Sequence, residues 1–144
     1  VEKLRLEGYR DALREAGLAP QDDLVHLMAE YSPEAGRQAA EALLKSAAPP
    51  TAVFATSDLF IGGVLQALHV RGMRVPHDLS LVGYDDTLAA MFAPPISSVG
   101  LSLDDVGHQA IGLLLKRQTA PAAPALTLTL NTVLIDRGSV CGLA

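Results

Sequence analysis

Several side chains able to grip a polar molecule fall where apolar runs of the chain stop. Tyr31 and Ser32 follow "DLVHLMAE" (23–30), Ser57 and Asp58 follow "PPTAVFAT" (49–56), and Asp85 and Asp86 follow "LSLVGY" (79–84). Arg5 stands near the start of a helical pattern that opens the chain. A carboxylate accepts hydrogen bonds from hydroxyls, a guanidinium donates several from a planar fork, and an aromatic ring packs against an apolar ligand face. Gathered together, such groups suit a polyhydroxylated or otherwise polar small molecule. Each also has a plainer reading. Asp58 reads as a helix cap and Asp85 and Asp86 as turn residues. Arg5 reads as a solvated charge and Tyr31 as packing.

Chemistry of other kinds finds little footing. His26, His69, His77 and His108 lack metal-ligand spacing, and Cys141 has no cysteine or histidine beside it. Gly62 and Gly63 lie inside a helical pattern, not in a phosphate-cradling loop, and no nucleophile-elbow motif occurs. Asp85 and Asp86 could hold magnesium, but no lysine or phosphate cradle accompanies them. The expectation is no catalytic residue, no metal and no cofactor.

The elements that must position these residues follow from periodicity. Leu6, Tyr9, Leu13 and Ala16 recur at helical spacing and Gly17 is placed to stop that helix. Residues 23–30 read as a strand. Ser32 and Pro33 launch a second helix as cap and first residue. "PPTAVFATS" reads as a buried strand. A helix over 58–71 carries Ile61, Val64, Leu65 and Leu68 on one face, with Gly72 closing it. Strands follow at 79–84 and 96–101, then a helix over 103–118 capped by Ser102. An Ala/Pro connector leads to "LTLTLNTVLI" (126–135). Strands alternating with helices predict an α/β fold, a parallel sheet flanked by helices. In such sheets ligands bind along the edge formed by the strands' carboxyl ends. That edge is where the residues named above belong.

The chain has 144 residues, 49% hydrophobic and 19% charged, which predicts one folded domain. Its net charge of -5 argues against a surface built for nucleic acid. Cys141 is the sole cysteine, so no internal disulfide forms. No leader or long apolar run points to export or a membrane. The first residues read as the middle of a helix, so the chain is expected to begin inside a longer protein.

Three stretches, "RLEGYRDAL", "PTAVFATSDLFIGGVLQALHVRGMRVPHDLSLVGYDD" and "APPISSVGLSLDDVGHQAIGLLL", strongly resemble the lactose/galactose repressor (LacI/GalR) family. The resemblance runs through nearly the whole chain, and "RGMRVPHDLSLVGYDD" followed by "APPISSV" is its most specific part. It implies a type I periplasmic-binding-protein-like effector domain. Residues 1–95 would be its C-terminal lobe without the first strand, 96–118 a crossover strand and helix of the N-terminal lobe, and 119–144 a connector and terminal strand.

By the same resemblance Arg5, Tyr31, Ser57 and Asp85 bind the effector, a sugar or related polar metabolite. Leu88, Met91 and Phe92 lie in a homodimer or higher-order interface. Operator DNA is reached only through an N-terminal domain outside this chain, in a cytoplasmic regulator without membrane contact. The sequence departs from the family pattern at three points. Ser57 stands where asparagine is common, Gly100 where a basic residue is frequent, and Leu101 where glutamine is. Two other functions compete: a periplasmic sugar-binding protein of a transporter, and a doubly wound α/β enzyme using Asp85 and Asp86.

Overall fold

Three short strands and one returning strand build the sheet in the order β1 (Ala52–Phe54), β2 (Ser80–Asp85), β3 (Ser97–Gly100), β4 (Val133–Ile135). The computed structural model describes residues 2–142. β1, β2 and β3 run parallel, with Phe54 beside Val82 and Asp85 beside Gly100. β4 joins β3 antiparallel, Gly100 facing Val133. The sheet is thus mixed, not wholly parallel, because the chain doubles back after its last helix. Of the run 126–135, only Val133–Ile135 pairs as a strand.

Among the described residues, four α-helices accompany it. α1 (Glu2–Glu15) stops at Gly17, whose φ of 75° suits a residue without Cβ. Leu18 N–H returns to the Leu13 carbonyl at 2.8 Å, closing the helix end. Ser32 starts α2 (Pro33–Leu43) by accepting from Ala35 N–H at 3.1 Å, as expected. Ser57 starts α3 (Asp58–Val70). α4 (Leu103–Thr119) begins at Ser102 and has no buried residue; Leu103, Ile111, Leu114 and Leu115 are all more than half exposed.

The core lies between α3 and the sheet, where Ile61, Leu68, Leu79, Leu81 and Ile96 are fully buried. α2 packs on α3 so closely that their backbones touch. A Cβ on Gly63 would stand 1.9 Å from the Pro33 carbonyl oxygen and 2.4 Å from Arg37 N. One on Gly36 would stand 2.4 Å from the Phe60 carbonyl oxygen. Neither obstacle is a side chain that could swing away. Overpacking a close-packed interior typically costs about 1–3 kcal/mol, and here the helices themselves must part. Gly63→Ala should therefore lose about 3 kcal/mol in urea denaturation; a loss below ~0.5 kcal/mol would show that the two helices slide freely.

The expected strand over 23–30 does not form. Asp22–Leu24 make a 3-10 turn, Val25 is extended, and the chain runs on to a bend at Ala29 and Glu30 without pairing. Neighbouring strands must lie about 4.8 Å apart to share hydrogen bonds. Here Val25, Leu27, Met28, Val53 and Phe54 share the lining of a cavity of about 560 Å³, and the segment forms no ladder with β1. Among the described residues, the outer edge of β1 has no strand beside it.

The end of the chain acts as a strap across the sheet. Leu81 N–H donates to the Ser139 carbonyl at 2.9 Å, and the buried Ser139 hydroxyl donates to Leu81 O at 2.6 Å. Ser97 N–H donates to that same hydroxyl at 2.8 Å, and Cys141 N–H donates to Ser80 Oγ at 3.1 Å. The Asp136 carboxylate accepts from Gly138 N–H and from the Ser97 hydroxyl, which hold its pKa below the usual carboxylate value. A carboxyl with a depressed folded-state pKa stabilises the fold fully above its unfolded value, about 3.9 for aspartate. That contribution fades as the pH falls through the depressed value. Wild type should thus lose melting temperature faster than Asp136→Asn below about pH 4. Parallel curves down to the acid transition would remove Asp136 from the strap.

Candidate functional site

At the carboxyl end of β2 the backbone takes a form rare for residues with side chains. Asp85 and Asp86 have φ of 99° and 57°, and such conformations are strained for L residues, least for Asp and Asn. The turn ends the strand and exposes the Asp85 carboxylate, 37% accessible, at the strand-end edge. Opposite it, Arg5 Nη2 lies 3.6 Å from Asp85 Oδ1.

Arg5 comes from the first turns of α1 and is fixed by two contacts. Its Nη1 donates to the Thr56 carbonyl at 2.7 Å, and its Cζ sits 3.8 Å above the Tyr84 ring centre. Stacking of this kind suits a planar guanidinium, which is weakly hydrated and attracted by the ring face. Arg5 Nε is buried and has no hydrogen-bond partner among the described residues. A pair 3.6 Å apart, partly open to solvent, leaves donors and acceptors for a bound hydroxyl to use. Arginine and aspartate are the two expected residues brought into direct reach.

Ser57 is 5% exposed, and its hydroxyl oxygen accepts from Leu59 N–H at 3.4 Å. It follows Thr56, whose carbonyl holds Arg5. Tyr31 stacks on Phe60 in the first turn of α3, ring centres 5.2 Å apart and planes 16° apart. Phe60 and Arg5 both line the large cavity beside β1. That cavity is mainly apolar and is lined by Arg5 and Thr56 but not by Asp85, which faces Arg5 outside it.

Asp58 departs from the sequence reading. The helix cap is Ser57, while Asp58, 2% exposed, reaches across to the turn after β2. Its Oδ2 accepts from Thr87 N–H (2.7 Å), Leu88 N–H (2.6 Å) and the Thr87 hydroxyl (3.1 Å). The reason is position. At the first helical residue the side chain projects from the start of α3 toward the neighbouring strand end, where free N–H groups await an acceptor.

After the turn, Ala89–Met91 form a 3-10 turn. Ala89 is fully buried, Leu88 is 39% exposed and Met91 79% exposed. Phe92 is half-buried against the core and rests over Gly62, where a Cβ would stand 3.7 Å from its ring. The apolar segment therefore divides into inward residues, Ala89 and Phe92, and outward ones, Leu88 and Met91. Sequence reasoning missed Tyr84 and Thr56 as the supports of Arg5. An aromatic just before a strand-end carboxylate is a usable signal for the first; a backbone carbonyl leaves none.

A strand-end site on an α/β sheet, holding an arginine, a carboxylate and stacked rings, defines a small-molecule-binding domain. Residues 1–140 match the family model of the periplasmic binding protein-like domain, and the chain belongs to that family, in the form found in LacI-type transcriptional regulators. It is 37% identical over 138 residues to the ribose operon repressor of Escherichia coli K12, covering 95% of this chain and 42% of that protein. It is similar to a LacI family regulator from Enterococcus faecium solved with bound ribose (TM-score 0.86, 30% identity, 97% of this chain and 52% of that one). It is also similar to the regulator CelR in complex with cellobiose (TM-score 0.84, 38% identity, 94% and 41%). The chain thus spans about half the length of these relatives. They are regulators, not enzymes.

Proposed function

We propose that this chain is the effector-binding, dimerising part of a cytoplasmic transcriptional regulator, with a sugar as effector. The observation that carries the reading is Arg5 stacked on Tyr84 and facing Asp85 at the strand-end edge. Ser57 and Tyr31 take supporting positions, Ser57 through its hydroxyl hydrogen and Tyr31 through the ring it stacks on Phe60. Sugars bound to two similar regulators support the ligand class. Regulators among the relatives support this function over a transporter's binding protein.

Residues 1–95 act as one lobe together with β3, which pairs with β2 and so does not cross to a second lobe. α4 belongs to a second lobe, which its unburied apolar face supports. The empty edge of β1 takes a further strand from elsewhere in the protein, and the apolar slot beside it supports that role. DNA is reached through another domain, and hinge motion between lobes links effector to operator. A thermal-shift screen of pentoses, hexoses and disaccharides on the full-length protein tests the ligand class. A sugar binding at 100 times its Kd stabilises by about 2.7 kcal/mol, a readable shift. No response to any sugar would reject it.

Leu88 and Met91 form the outward part of a subunit contact, with Phe92 supporting it from the core side. Met91→Asp should raise the dimer dissociation constant about tenfold or more in analytical ultracentrifugation of the full-length protein, at unchanged helix content. Phe92→Ala should instead lower stability, since its ring packs on the core. An unaltered dissociation constant in Met91→Asp would move the interface elsewhere.

A further inference from the structure

We propose that Arg137 is a positioning residue for the effector site: by clamping Asp86 it holds the turn that aims Asp85 at Arg5. The inference rests on the effector-binding reading above and adds a residue from the opposite end of the chain. Arg137 Nη1 donates to Asp86 Oδ1 at 2.6 Å and Nη2 donates to Asp86 Oδ2 at 3.0 Å, a two-pronged pair. Nη1 also donates to the Ile96 carbonyl at 2.8 Å, so the guanidinium is also tied to the residue just before β3. Both side chains are largely shielded, 17% and 12% accessible. Their pairing is therefore little weakened by water, and the fork fits a carboxylate in one orientation.

Asp86 needs such a hold. It and Asp85 occupy consecutive left-handed conformations that relax elsewhere unless something fixes them. Two devices do so from opposite sides. Asp58 takes the N–H groups of Thr87 and Leu88 just after the turn. Arg137 takes the side chain of Asp86 itself. Gly100 completes the seat, since a Cβ there would stand 2.7 Å from Asp86 Cβ. Arg137 in turn is placed by the terminal strap: its N–H donates to Ser97 Oγ at 2.9 Å, beside the buried Ser139. The strap after β4 is thus joined mechanically to the carboxylate that faces the ligand.

The test uses the full-length protein, D-ribose as probe, and the variants Arg137→Lys, Gly100→Ala and Asp85→Asn. Lysine keeps the charge and loses the fork; the added methyl at 100 meets Asp86 first, 2.7 Å from its Cβ, and displaces it. Isothermal titration should show ribose binding weakened about tenfold by either change. In an Asp85→Asn background Arg137→Lys should cost nothing further, because its effect passes through Asp85. Without sugar, amide exchange at Thr87 and Leu88 should quicken in both variants while Ile61 and Leu81 keep wild-type protection. Undiminished affinity in Arg137→Lys, or an equal loss with and without Asp85, overturns the proposal. If wild type ignores ribose, the ligand assignment is what fails, and exchange decides the clamp alone: unchanged rates at Thr87 and Leu88 overturn it, faster rates uphold it.

Discussion

Asp58→Ala should lower the stability of the protein by about 3–5 kcal/mol. The carboxylate is 2% exposed, and one of its oxygens serves three donors of the turn after β2. Hydrogen bonds to a charged group contribute about 1.5–3 kcal/mol each, and a buried donor left without acceptor costs about 1–3 kcal/mol. Alanine removes the acceptor and leaves Thr87 and Leu88 N–H facing it unpaired. Asp58→Asn keeps a carbonyl oxygen in the same place and should cost about half as much. Urea denaturation of the three forms measures both losses. Loss of less than about 1 kcal/mol in Asp58→Ala would mean that the turn finds other acceptors, and that α3 does not tether it.

The same turn shows how far the sequence could be read. Local signals with a single physical cause were legible. Ser32 before Pro33, Ser102 before an apolar-periodic run, and Gly17 and Gly72 after such runs marked helix ends that the structure retains. β3 lies within its expected apolar run, and β2 runs one residue past its own, through Asp85. Pairing was harder to read, because it depends on neighbours. Residues 23–30 have the pattern of a strand but no paired strand among the described residues, so they stay outside the sheet. β4 turns antiparallel for a reason of path, not of composition.

At the site, Arg5 and Asp85 followed from topology, since strand ends and helix starts share one edge. Their supports did not. Tyr84 reads as one more residue of a buried strand, Thr56 acts through its backbone, and Asp58 reads as a cap. Arg137 lies 51 residues from its partner and bears no sequence mark beyond a lone charge after an apolar run.

Effector binding at the Arg5–Asp85 pair is the central claim, and its consequence is large. Either residue, once a ligand hydroxyl bridges the pair, makes charge-assisted hydrogen bonds in a partly shielded place. Losing one such bond costs about 1.5–3 kcal/mol, which corresponds to roughly 10- to 150-fold in affinity. Arg5→Ala also frees Tyr84 and the Thr56 carbonyl from their contacts, so it should fall at the upper end. Asp85→Asn keeps size and shape and isolates the charge. Ser57→Ala, which loses a neutral hydroxyl, should cost less than either in affinity. The deciding measurement is isothermal titration of full-length wild type, Arg5→Ala and Asp85→Asn with the sugar that raises the melting temperature most. Each variant's fold is checked by its own melting curve. The predicted result is affinity weakened at least tenfold in both folded variants. Wild-type affinity in both would place the ligand elsewhere and contradict the account.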